Sequence, residues 1–259
     1  MAKDTRSIRD RIRKPSGRYK HLGICIFGKI GVGKTTLLGT MPGKGLLLDV
    51  KGIEEGDSVV AHHADRIAVL DIATWEDLNK AYHMLRKGQY KCDWVAIDTV
   101  TSVQILAKRR VLKLRDDADL KTHQVRRQDW GDIGQLMGEL FLKFRSLPMH
   151  IVFLSQERTF EHEDGDEPTE ILPEVSPASL RILTPSLHLV GRYYIEDVGD
   201  GMERRMLVEA RPGFVTKARS VKGRELPPII RKPNLGRILR YMQGDEDVKR
   251  PRGVTEASL

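Results

Sequence analysis

Cysteine is almost missing from this chain. Only Cys25 and Cys92 occur among 259 residues, one inside an apolar run and one just before another. A disulfide framework has nothing to build on, and a reducing cytoplasm is the expected setting. Long apolar runs are missing too: none approaches the roughly 18 consecutive apolar residues that a spanning helix requires, so no membrane partner is expected. The first twenty residues are charged throughout and lack the apolar segment of a signal peptide. Aromatic residues make up only 6% of the chain. What remains, 40% apolar and 31% charged, is the composition of a globular domain with length for one sizeable core. The expected organisation is a basic arm over residues 1–20, one domain over 21–243 and a disordered charged tail over 244–259.

Acidic charge is the scarcer sign, with 36 Asp and Glu against 44 Lys and Arg and a net charge of +8. The excess is clustered. Lys3, Arg6, Arg9, Arg11, Arg13, Lys14, Arg18 and Lys20 crowd the arm, and residues 108–127 carry Lys108, Arg109, Arg110, Lys113, Arg115, Lys121, Arg126 and Arg127. Such clusters suit nucleic-acid phosphates, in a salt-sensitive way. They equally suit a solvated tail and a solvated helix face.

Apolar runs alternate with helical patterns along the chain. Leu22 to Phe27, Gly45 to Asp49, Arg66 to Leu70, Trp94 to Asp98 and His150 to Ser155 read as strands, several of them apolar on both faces as in a covered parallel sheet. Thr74 with Asp77 three residues on starts a helix that ends near Gly88. Ile133, Leu136, Met137, Leu140, Phe141 and Phe144 form one stripe on a helix over 129–146. Strand-helix alternation of this kind predicts a three-layer α/β domain. Later, His188 to Ile195 and Arg205 to Ala210 flank Gly199-Asp-Gly201 and predict an antiparallel pair. A further strand over Phe214 to Lys217 and a last helix over Pro233 to Met242 follow, and residues 157–170 read as a surface loop.

The most informative segment is Gly28-Lys29-Ile30-Gly31-Val32-Gly33-Lys34-Thr35, followed by Thr36. It fits G-x-x-x-x-G-K-T and lies between a predicted strand and a predicted helix, the context that gives the motif its meaning. Glycines let backbone N–H groups wrap phosphates, Lys34 is placed for the β and γ phosphates, and the Thr35 hydroxyl is a Mg²⁺ ligand. Asp98 ends a buried strand and is the carboxylate expected to hold the metal's water shell. Thr99 follows it, so no second acid stands beside it.

Asp98-Thr-Val-Thr-Ser102 resembles the Asp-Ser-Val continuation of RecA-type ATPases, and Phe153-Leu-Ser-Gln156 is similar to their strand ending in a γ-phosphate-sensing Gln. Lys217-Ala-Arg219 resembles the Lys-x-Arg pair that RadA-like relatives insert into a neighbouring subunit's site. With Gln128-Asp-Trp-Gly131 and the compact length, the chain resembles phage-encoded, RecA-core-only ATPases of single-strand annealing and recombination, over residues 20–243. The resemblance implies a RecA-like α/β fold with a mostly parallel sheet and C-terminal antiparallel strands. It further implies ATP and Mg²⁺ at Gly28 to Thr36 and Asp98, with Gln156, Lys217 and Arg219 as catalytic residues. The implied partners are single-stranded DNA, further copies of the chain with ATP between subunits, and a single-stranded-DNA-binding protein.

One departure stands out. The strand after the phosphate-loop helix usually ends Asp-Ala-Glu in that family, the Glu activating water, and here it ends Asp49-Val50-Lys51. A cation cannot take that proton, which leaves Asp49, Glu54 or Glu55 as bases, or slow hydrolysis with binding intact. A nucleotide-gated scaffold with little turnover is therefore a second reading, and a P-loop small-molecule kinase a third. His62-His63 lack partners at ligand spacing and read as surface residues. Trp130 and Tyr193-Tyr194 fit base stacking or core packing, and core packing is the commoner fate.

Overall fold

A computed structural model describes residues 19–50, 61–114, 120, 124–161, 169–221 and 223–254, with Ser7, Arg9 and Ile12. Most of the basic arm, Lys51 to Val60, and residues 115–119 lie outside the described residues. The central strands are β1 (Gly23–Gly28), β2 (Gly45–Val50), β3 (Ile67–Ile72), β4 (Trp94–Asp98), β5 (His150–Phe160), β7 (Leu189–Asp197), β8 (Met202–Leu207) and β10 (Ile229–Arg231). They lie in the order β10-β8-β7-β1-β5-β4-β2-β3. From β7 to β3 every pairing is parallel. The last strands add antiparallel pairings, including the expected β7–β8 hairpin.

Parallel strands covered on both faces need apolar side chains at every position, and β1, β2 and β4 are buried throughout. Alternation divides their side chains between two cores. Phe27, Leu48, Ile97 and Phe153 face one way, packing with α2 (Trp75–Arg86), α3 (Val100–Val111), α4 (Arg127–Arg145) and α5 (Pro177–Ser186). Ile26, Leu47, Ala96 and Leu154 face the other way, against α1 (Lys34–Leu38) and α6 (Leu235–Met242).

Helix α2 starts where its sequence indicates: the Thr74 hydroxyl accepts from the Asp77 amide at 3.2 Å, and the Asp77 carboxylate accepts from Thr74 N at 3.0 Å. The predicted stripe of α4 faces the core. Its Gly134 and Gly138 let α5 approach closely, since a Cβ there would meet Ala178 at 2.5 Å and Ile182 at 2.3 Å.

Several expectations change. Strand β5 extends to Phe160 because residues 157–160, assigned to a loop, pair antiparallel with β6 (Glu170–Pro173). The strand expected over Phe214 to Lys217 shrinks to β9 (Lys217–Ala218), and Phe214 makes only isolated bridges. Helix α5, which the sequence did not announce, opens with a Ser176 cap and Pro177 in its first turn. Of residues 244–254, assigned to a disordered tail, 252–254 lie beside β10. Arg231 N donates to Arg252 O at 2.9 Å and Val254 N to Ile229 O at 3.1 Å. An edge strand presents unpaired backbone groups, and this segment satisfies them. On β8, buried Glu203 receives Arg231 and Arg205. The Arg231 hydrogen bonds, then Arg205, hold its carboxyl down to about 2, against the effect of burial.

Two histidines close the N-terminal end of the sheet. Leu22 N donates to His150 Nδ1 at 3.1 Å and Gly23 N to His188 Nδ1 at 3.0 Å, which requires neutral imidazoles. Burial first, then cationic neighbours including Arg145, pushes each ring down to about 4. Their folded pKa lies below the unfolded value of roughly 6.5. Their contribution to stability is therefore complete above that value and is lost as pH falls toward 4. We predict a falling urea midpoint between pH 7.5 and pH 5. His150→Gln, whose amide oxygen accepts the same bond without titrating, should flatten that slope.

Candidate functional site

Strand β1 sits near the middle of the sheet and ends at Gly28, where the phosphate loop begins. Gly28 has no room for a side chain, since a Cβ would lie 2.1 Å from the Tyr193 carbonyl oxygen. Gly31 and Gly33 adopt φ of 79° and 94°, which L side chains rarely take. Lys29, Ile30 and Gly31 face solvent, whereas Val32 packs into the core beside α1. Lys34 is 4% exposed, and its ammonium donates to Gly28 O at 3.0 Å and Lys29 O at 2.9 Å. Helix α1 begins after Gly33 with no side-chain cap. Thr36 is exposed beside it.

Register brings the remaining groups to the same edge. Gln156 pairs with Gly28 across β1 and β5, and Asp49 pairs with Asp98 across β2 and β4. By alternation from Ile26, Leu47, Ala96 and Leu154, Gly28, Asp49, Asp98 and Gln156 face the α1 side. Thr35 Oγ1 donates to Asp98 Oδ2 at 2.6 Å, joining the two expected metal ligands. Both Asp49 and Asp98 are buried, at 3% and 4% exposure. A hard divalent cation takes oxygen ligands of this kind, so the chemistry of the pair fits Mg²⁺. The Thr101 hydroxyl accepts from Gln156 N at 3.2 Å, tying the first turn of α3 to β5.

The Lys217-x-Arg219 pair is not part of this cluster. Lys217 pairs with Val190, which pairs with Cys25, and Arg219 N donates to His188 O at 2.7 Å. Both side chains therefore sit toward the N-terminal end of the sheet, with Lys217 Nζ on Thr184 O and Arg219 Nη2 on Pro185 O. Burial, then Arg219, pushes the Lys217 ammonium down. Lys51, Glu54 and Glu55 lie outside the described residues, so of the candidate bases only Asp49 has a described position.

Two arginines were missed in the sequence. Arg204 reaches from β8 to the phosphate loop, where its Nε donates to Val32 O at 3.1 Å. Arg192 clamps Glu157, the neighbour of Gln156, through Nε–Oε2 at 2.9 Å and Nη2–Oε1 at 3.3 Å. Its guanidinium also lies 5.2 Å from the Tyr194 ring and 5.3 Å from that of Phe214. Neither contact had a local signal, because each joins segments far apart in the chain. Tyr193 is a core residue at 3% exposure. Where α4, α5 and the β5–β6 hairpin meet, a groove of about 700 Å³ is lined by Arg127, Trp130, Arg158, Glu174 and Arg181, among others. Trp130 there is 40% exposed.

Parallel sheet, phosphate loop and buried Asp98 together define a P-loop nucleotide-binding domain. A family model described as an AAA domain matches residues 20–220, and the chain belongs to that family. In structure the chain is similar to a KaiC-like protein of the hyperthermophilic archaeon Pyrococcus horikoshii OT3. The TM-score is 0.43 and the identity 13%, over 74% of this chain and 78% of that one. The comparison with curated proteins finds no match.

Gly28→Ala tests the crowding at the loop's first residue. Its Cβ would press on backbone, not on a flexible side chain, and we predict a loss of about 2 kcal/mol in chemical denaturation together with weakened nucleotide binding.

Proposed function

We propose that this chain is an ATPase that acts on single-stranded DNA and assembles with further copies of itself so that ATP lies between subunits. The observation that carries the reading is the Lys34–Thr35–Asp98 cluster at the C-terminal edge of a parallel sheet. Lys34 is held at the loop by two carbonyls and is in position to turn its ammonium to the terminal phosphates. Thr35 and Asp98 would hold Mg²⁺, which when bound neutralises charge on the β and γ phosphate oxygens. Gln156 is on the same face and would orient the attacking water or sense the γ phosphate. In hydrolysis the water oxygen bonds to the γ phosphorus as the bond to the β,γ-bridging oxygen breaks. Asp49, buried beside Asp98, is the described carboxylate best placed to receive the water's proton. Lys217 and Arg219 are at the far end of the sheet from their own loop. Their role in this reading is to place cations in the site of a neighbouring subunit.

The groove beside Trp130 supports the DNA part of the reading. Arg127, Arg158 and Arg181 suit a phosphate backbone, and a half-exposed indole suits a stacked base. Lys51 favours one alternative, a nucleotide-gated DNA-binding scaffold with little turnover, since it stands where a base is expected. Purified protein should release phosphate from ATP without any other acceptor, faster with single-stranded DNA, and Lys34→Ala should lower turnover by about 100-fold or more. ATP binding without turnover would favour the scaffold.

A mixing experiment tests the shared site. Lys34→Ala and Arg219→Ala proteins, each inactive alone, should regain activity together, because one retains the arginine and the other the loop. No recovery would remove Arg219 from the neighbour's site. DNA binding should weaken steeply between 50 and 200 mM salt, roughly by powers of ten if several phosphates are contacted, and Trp130→Ala should weaken it further.

A further inference from the structure

The phosphate loop has two flanks. On one, β5 and β4 bring Gln156 and Asp98, with Thr35 bonded to Asp98. On the other, β7 and β8 form a hairpin that outruns the rest of the sheet. Strand β7 last pairs with β1 at Arg192 and Phe27, yet continues to Asp197. At roughly 3.3 Å per residue this overhang is about 16 Å long.

The hairpin face turned toward the loop follows from register. Tyr193 and Met206 are cross-strand partners and share the core that holds Val32 and Leu37. By alternation, the next pair outward on that face is Ile195 with Arg204, and then Asp197 with Met202. Ile195 is 42% exposed and Met202 74% exposed. These are two large apolar side chains left in solvent beside a phosphate-binding loop. Arg204, the cross-strand partner of Ile195, reaches the loop. Its Nε is engaged by Val32 O, and an ideal Cβ on Gly33 would lie 3.4 Å from that Nε and 3.7 Å from Nη2. Among the described residues its guanidinium makes no other hydrogen bond or ion pair. Lys232 N donates to Arg204 O at 2.9 Å, and Glu203 anchors the opposite face through Arg205 and Arg231. The arginine thus projects from a fixed strand.

We infer that this hairpin face is the nucleoside-recognition surface: Arg204 lies against the base, with Ile195 and Met202 as the apolar platform beside it. The inference rests on the nucleotide reading above. With the metal-bearing phosphates placed against Thr35 and Asp98, the nucleoside end is directed to the opposite flank, which is this one. A guanidinium held in place by one N–H presents its plane to an aromatic ring, and the attraction grows as the pair is desolvated. Thioether and aliphatic groups add contact area without directional demand. The surface reads the size and flatness of a base and not its edges.

The alternative role for Arg204 is simply to brace the phosphate loop. Calorimetry of MgATP, MgADP and Mg-tripolyphosphate, which has the phosphates without a nucleoside, separates the two. Arg204→Ala should weaken MgATP and MgADP together by about 10-fold while changing tripolyphosphate by less than about 2-fold. Arg204→Gln, which can still donate to Val32 O, should behave like Arg204→Ala. Met202→Asp, at an exposed position, should also weaken the nucleotides alone, with melting temperature as the check on folding. Equal weakening of ATP and tripolyphosphate by Arg204→Ala would overturn the inference in favour of a brace, and unchanged ATP affinity would overturn it outright. Wild-type protein that binds tripolyphosphate as tightly as MgATP would sink the nucleoside surface while leaving the phosphate loop standing. Wild-type protein that binds neither would sink the nucleotide reading itself and this inference with it.

Discussion

Strand β1 is buried along its whole length between two parallel neighbours, and the site is built from what that burial requires. Its side chains must be apolar on both faces, so Ile24 and Ile26 serve one core while Cys25 and Phe27 serve the other. Its last residue must be glycine, because the Tyr193 carbonyl occupies the space of a side chain. The chain can then leave the sheet only by the tight loop that follows. The same sheet fixes the distance from that loop to Asp98 and Gln156 through backbone pairing, which is far stiffer than any side chain. A mutation deep in β1 would therefore act on the phosphate site without touching it.

Charge is distributed between the two ends of this sheet. At the C-terminal edge, buried Asp49 pairs with Asp98, and Asp98 accepts from the Thr35 hydroxyl. At the N-terminal end, Arg145, Lys217 and Arg219 crowd around neutral His188. Burial and these cations together push the His188 ring and the Lys217 ammonium down, and this end is rich in positive charge. In an assembly that stacks one subunit's N-terminal end near another's loop, that charge would meet phosphate. The proposed sharing of a site between copies would use this polarity.

Much of the site was legible in the sequence because its chemistry is local. Eight consecutive residues define the loop, and one Asp stands at the end of a buried apolar run, where it accepts from Thr35. Thr74 and Asp77 announced a helix start that the structure contains, and the α4 stripe announced which face it buries. Other features were illegible for definite reasons. Strand β6 and the extension of β5 depend on pairing with each other, so neither has a signal alone. Residues 244–254 have a charged, tail-like composition, yet Arg252 and Val254 supply hydrogen bonds to edge strand β10. Lys217-x-Arg219 was readable as a pattern, but not as a pair held away from its own loop.

By itself the sequence determined the phosphate loop and the buried parallel strands, because each follows from residue type and spacing within a short window, whereas the bond between Thr35 and Asp98 spans 63 positions and needs the folded sheet. The tertiary structure alone decided what stands on either side of the loop. Arg204 reaches Val32 across 172 positions, and Arg192 reaches Glu157 across 35, contacts that exist only because the sheet places β7 and β8 beside β1. Nearness in a sheet is set by strand order, and strand order is a property of the whole packed core.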